Sequence, residues 1–101
     1  MIKTIVLYPI PENKRHFVEY YRDIHLPLFK KMPGVSRAQF SFDPETVLGS
    51  SEFFCVFEVE FVDEEHMERA MTSKAGQATN ADIPNYSPNP PLVLRLRPTE
   101  V

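Results

Sequence analysis

The sequence predicts an α+β fold: a four-stranded antiparallel sheet with two helices on one face, in the order βαββαβ. Two periodicities and their order along the chain predict it. Alternation marks strands, most clearly over Glu52 to Phe61, where Phe53, Cys55, Phe57, Val59 and Phe61 put an unbroken apolar row on one face. Spacings of three and four mark a helix through Phe17, Tyr20, Tyr21, Ile24 and Leu28. The 101 residues contain no internal repeat, and this length suits one domain spanning residues 1–101.

In chain order, Lys3 to Tyr8 are β-branched and apolar and are closed by Pro9 and Pro11, which predicts the first strand. Asn13 is a fitting N-cap for the helix that follows. Pro27 disfavours α geometry at Leu26, so that helix is expected to end near His25. Met32-Pro33-Gly34 is turn chemistry, and Val35 to Phe42 read as the second strand. The third strand, Glu52 to Phe61, leads to Asp63, the expected cap of a helix with Glu64 and Glu65 in its positive first turn. Ser73 caps a short continuation to about Asp82. Ile83 to Pro91 hold four prolines and read as an irregular tail, and Leu92 to Arg97 alternate as the last strand.

The apolar row on the third strand is expected to lie under the helices. The opposite sheet face would show Phe54 and Val56, joined by Val93, beside Glu58, Glu60 and Arg95. A half-apolar face of this kind is expected to be covered by a second copy, making a homodimer.

Composition excludes several classes. Net charge is −3 with no basic block, which argues against nucleic acid. Cys55 is the only cysteine, so no internal disulfide can form, and a cytoplasmic setting is expected. No apolar run approaches the ~20 residues of a membrane helix, so no membrane partner is expected. His16, His25 and His66 lack metal-ligand spacing, and with three glycines in the chain there is no Gly-rich phosphate loop. No metal and no cofactor are expected.

The candidate chemistry centres on Phe17, Tyr20, Tyr21 and His25. His25 follows Tyr21 by four residues and Phe17 by eight, so the three share one helical face. A histidine flanked by phenols suits general acid/base work, while a histidine in a last helical turn also suits capping of free carbonyls. Tyr20 and Tyr21 differ by about 100° around a helix, so one is expected in the core and the other toward a pocket. Cys55 sits on the buried face and behaves as a small hydrophobe.

Two motifs carry a resemblance. Phe17-x-x-Tyr20-Tyr21-x-x-x-His25-x-Pro27-Leu28, then Pro33-Gly34, resembles the first-helix motif of the EthD family; Ser73-Lys74-Ala75-Gly76-Gln77-Ala78, then Ala81-Asp82-Ile83-Pro84-Asn85-Tyr86, resembles its second. The resemblance implies a ferredoxin-like fold assembled as a dimeric α/β barrel. It implies His25 as the first catalytic candidate, with Tyr21, Tyr20 and Asp82 behind it. Many members have Pro-Glu after the serine, where this chain has Lys74-Ala75; an activity that depends on that glutamate is not expected of this chain.

The expected function is a cofactor-independent enzyme, of oxidoreductase or isomerase/dehydratase type, acting on an apolar aromatic or lactone-like compound. Its pocket is expected between sheet and helices, lined by Tyr8, Phe17, Phe40 and Phe57. The alternative is a non-catalytic accessory protein that holds a hydrophobic intermediate.

Overall fold

Strand β1 (Ile2–Pro9) is central in the sheet, and apart from Lys3 its residues are apolar, aromatic or β-branched on both faces. The computed structural model describes residues 1–101 and adds β2 (Arg37–Phe42), β3 (Phe53–Phe61) and β4 (Leu92–Leu96) in the order β2-β3-β1-β4, every pair antiparallel. Helices α1 (Lys14–Tyr20), α2 (Leu26–Phe29), α3 (Glu64–Thr72) and α4 (Lys74–Asp82) complete the ferredoxin-like α+β arrangement. The predicted caps are all present: the side chains of Asn13, Asp63 and Ser73 accept from the amides of His16, His66 and Gly76. No helix is long and apolar enough to cross a membrane.

Three local readings are corrected. The first helical segment does not stop near His25. It passes through a π turn, Tyr21–His25, directly into α2. Pro27 has no N–H to give, and in a regular α turn its ring would collide with the carbonyl four residues back. A wider turn just before it shifts the hydrogen-bond ladder and lets the chain stay helical. The second strand starts at Arg37 rather than Val35. The tail is not irregular throughout: Ile83–Asn85 form a 3-10 turn, and Tyr86 and Ser87 after it are buried.

The two sheet faces also differ from expectation. Tyr8 pairs with Cys55 and Pro9 with Phe53, so Phe54 is an extra residue in a β-bulge. The bulge breaks the alternation and turns Phe54 inward, edge-on to Phe17 at 5.4 Å and stacked on Phe42 at 5.9 Å. Phe54 therefore belongs to the core, not to the outer face. The phase of β4 is also the reverse of that expected. Val93 pairs with Val6 and Arg95 with Thr4 on the helix side, leaving Leu92, Leu94 and Leu96 outside with Ile5, Leu7 and Val56. Lys3, Glu58 and Glu60 share that outer face, Lys3 Nζ lying 3.8 and 3.6 Å from the two carboxylates.

The core is mainly aromatic. Tyr8, Phe17, Tyr21, Phe61 and Tyr86 are almost wholly enclosed, and Phe17 meets Tyr8, Tyr21, Phe54 and Tyr86 at 5.1–5.5 Å. Behind it, α4 begins directly against the end of α3. A side chain on Gly76 would drive its first carbon into the carbonyl oxygens of Ala70 and Met71. Phe54→Ala would leave a cavity under α1 and is expected to cost about 3–5 kcal/mol. Urea unfolding checks this, and a loss below about 1 kcal/mol would place the ring outside the core.

Candidate functional site

Asp82 is the last residue of α4, and Pro84 prevents the helix from running on past it. Its side chain is buried and collects three hydrogen bonds. Tyr20 Oη donates to Oδ1 at 2.6 Å, Asn85 Nδ2 donates to the same oxygen at 2.9 Å, and His25 Nδ1 lies 3.0 Å from Oδ2. Burial alone would raise the carboxyl's pKa. The bonds from Tyr20, Asn85 and His25 outweigh burial and hold it below the ordinary aspartate value, so the group is a carboxylate at neutral pH.

A carboxylate at Oδ2 fixes the imidazole. His25 Nδ1 carries the proton and donates it to Asp82, leaving the Nε2 lone pair free. Burial lowers the His25 pKa, against the opposing pull of Asp82, so the ring stays neutral at pH 7. The π turn sets its orientation by bringing Tyr21 and His25 into a stack, centroids 5.3 Å apart and planes at 23°, with the Tyr86 ring tilted against the imidazole at 4.6 Å. His25 is not a helix cap: the backbone continues helically beyond it, and its Nδ1 goes to a side chain.

The imidazole borders a cavity of about 100 Å³ between sheet and helices. Thr4, Val6, Tyr8, Phe57 and Val59 form its floor, Phe29, Ile83 and Thr79 its helical walls, and Met71, Asn80 and Val93 an open rim. The Tyr8 hydroxyl is 2.7 Å from that of Tyr86, which does not line the cavity. Burial pushes the Tyr8 phenol up to about 12 and raises Tyr86 further, so both remain protonated at neutral pH. A larger cleft of about 250 Å³ lies outside, beside Pro9, Pro11 and Asn89. Its polar groups do not converge, since His16 Nε2 is turned to the Asn85 carbonyl at 3.3 Å.

The structure brings His25, Tyr20 and Asp82 together around one carboxylate. Tyr21 lies in the core and acts on the group only by stacking. Of the four expected pocket residues, Tyr8 and Phe57 line the cavity. Phe17 is sealed in the aromatic core, and Phe40 faces a separate groove with Leu26 and Phe29, because α1 fills the space over Phe17 and the β2 edge lies beyond the cavity wall. Asn85 and Tyr86 were not expected. Their signal was the Ile83-Pro84-Asn85-Tyr86 run, which opens a stretch to Pro91 whose four prolines read as tail. Cys55 is enclosed, and burial pushes its thiol up to about 12, out of the range of a working nucleophile.

The model of the EthD domain matches residues 11–88, most of the chain and both motifs. The chain belongs to the EthD family. An EthD family protein from Bacillus halodurans is similar over 98% of this chain and 99% of its own, with 28% identity and a TM-score of 0.89. SnoaB, a cofactor-independent oxygenase from Streptomyces nogalater, shares the fold at 10% identity, with a TM-score of 0.71 over 99% of this chain and 94% of its own. A dimeric ferredoxin-like protein from Thermobifida fusca does so at 14% identity and TM-score 0.70, over 94% and 88%. No curated protein matches this EthD chain.

The His25–Asp82 pair gives the EthD domain a directional pH dependence. Native His25 binds its proton more weakly than an ordinary imidazole at 6.5, so below that pH the unfolded chain holds more protons and stability falls. Asp82, held below 3.8, adds stability that persists above that value and is lost only as pH falls through its native pKa. Thermal unfolding followed from pH 8 to pH 5 is expected to show the melting point dropping through 6.5, and His25→Gln to flatten that limb. A wild-type curve level across this range would mean that the folded ring protonates as readily as the unfolded one.

Proposed function

We propose that this EthD protein is a cofactor-independent enzyme in which His25 Nε2 removes a proton from an apolar, aromatic or lactone-like compound. The observation that carries the reading is the 3.0 Å His25–Asp82 contact at the wall of an apolar cavity. A base needs a free lone pair at neutral pH, a fixed tautomer and a counter-charge for the cation it becomes. Nε2, the Nδ1–H bond and the Asp82 carboxylate supply these in turn. The proton leaves a C–H or O–H bond of the ligand for Nε2, the bonding pair stays on the ligand as an enolate or phenolate, and the imidazolium forms against Asp82. Return of the proton to another atom makes the reaction an isomerisation. SnoaB is an oxygenase that needs no cofactor, which supports an oxidative outcome on this fold.

The protein is proposed to act as a homodimer formed through the outer sheet face. Ile5, Leu7, Val56, Leu92, Leu94 and Leu96 make one apolar surface there, with β4 the most exposed. The dimeric relative from Thermobifida fusca supports this assembly. Leu94→Glu would put a charge at the centre of that surface. Light scattering is expected to give twice the 11.7 kDa chain mass for the wild type and the single mass for the variant. A monomeric wild type at micromolar concentration would remove the dimer.

Deuterium exchange into 2-tetralone, a bicyclic ketone with an acidic benzylic C–H, tests the base. NMR in D2O is expected to show exchange faster than in buffer, and His25→Gln to lose about 10²-fold or more of that acceleration. Asp82→Asn should lose most of it too, by freeing the tautomer. Binding without accelerated exchange would identify a carrier of hydrophobic intermediates instead.

A further inference from the structure

Arg95 is the only charged side chain among the paired residues of the helix-side sheet face; its partners there are Thr4, Val6, Tyr8, Phe57, Val59 and Val93. A charge on that face costs free energy when the helices cover it, and here they do not: all of β4 is exposed. Arg95 pairs with Thr4, and Thr4 is part of the cavity floor. Its neighbour two residues back, Val93, is on the open rim and 55% exposed. Arg95 does not line the cavity itself; its backbone lies beside the floor at Thr4 and next to the rim at Val93, and the residue is exposed to water there. The nearby carboxylate of Glu64 is already taken by Arg97, and Arg95 forms no ion pair of its own.

The cavity also limits what can enter. Its 100 Å³ is less than the roughly 150 Å³ that encloses a benzene ring in a dry protein cavity, so it takes in only part of one ring and the remainder of a ligand lies out along the rim. Tyr8 and Thr4 are four residues apart on β1, roughly 13 Å at the strand rise. His25 lies toward the Tyr8 end, through their shared contacts with Tyr21 and Tyr86, and Arg95 lies at the Thr4 end.

From this we infer that the pocket takes an elongated apolar compound bearing a carboxylate, held by Arg95 at the rim on the order of 10 Å from the end that His25 addresses. Arg95 is a specificity-determining residue. The proposed dimer leaves it free, because the outer face is the opposite side of the sheet. The inference rests on the pocket reading above, and the test separates the two.

Biphenyl-4-carboxylate and biphenyl-4-carboxamide have the same shape and differ in charge. Titration calorimetry at low salt is expected to show wild-type protein binding the acid about 10-fold tighter than the amide or better. Arg95→Gln should bring the two within about 2-fold by weakening the acid alone, and Arg95→Lys should restore part of the gap. Val93→Trp, which fills the rim, should abolish both. Equal affinity of the wild type for acid and amide, or a gap that survives in Arg95→Gln, overturns the carboxylate and leaves the pocket standing. Binding of both probes undiminished in Val93→Trp places them elsewhere and overturns it as well. Failure of the wild type to bind either probe overturns the pocket reading and this inference together.

Discussion

A buried carboxylate must either take up a proton or collect enough hydrogen bonds to stay ionised, and Asp82 collects three. Those bonds come from α1, the π turn and the 3-10 turn, so one side chain ties together three segments that would otherwise meet only through apolar contacts. Apolar packing specifies shape loosely, whereas a charged acceptor with defined lone pairs specifies which atom points where. The position of the imidazole, its tautomer and the course of the chain after α4 all follow from that acceptor. Each such bond to a charged group is worth on the order of 1.5–3 kcal/mol, enough to offset the desolvation of the carboxylate.

The sheet divides the molecule's tasks between its faces. On the helix side the bulge at Phe54 and the aromatic cluster fill the space under α1, while the space beneath α4 stays open as a cavity. On the other side the leucines of β4 line up with Ile5, Leu7 and Val56. Because side chains alternate strictly along a strand, one residue of phase at β4 decides whether Arg95 stands beside the cavity or beside Glu58 and Glu60. The pairing of Arg95 with Thr4 puts it at the cavity.

Much of this was legible in the residues. Alternation in β3, the caps at Asn13, Asp63 and Ser73, and the strand and helix order are local properties, and local physics decides them. Local preference fails where a distant partner overrides it. Pro27 signals a helix end, but the π turn just before it accommodates the ring and lets the chain stay helical. The sequence of β3 contains nothing that announces the bulge at Phe54, since the cause is Pro9 on the neighbouring strand and the space beside Phe17. A short edge strand such as Leu92–Leu96, apolar at four positions of five, has no periodicity to fix its phase. His25 could be picked out as a candidate, and Asp82 came through the second motif. Their contact, 57 residues apart, is a product of the fold alone.

The absence of a side chain at Gly76 has a reach beyond the corner it makes. With no atom between them, α3 and α4 touch backbone to backbone, and a contact of that kind has no rotamers through which to relax. Helix α4 is thereby a rigid lever with its fulcrum at Gly76 and Asp82 at the far tip, about 9 Å along the axis. A displacement of a few tenths of an ångström at the fulcrum would be delivered to the acceptor that aims the imidazole. The register of the catalytic candidates is in that sense set by a position that touches none of them.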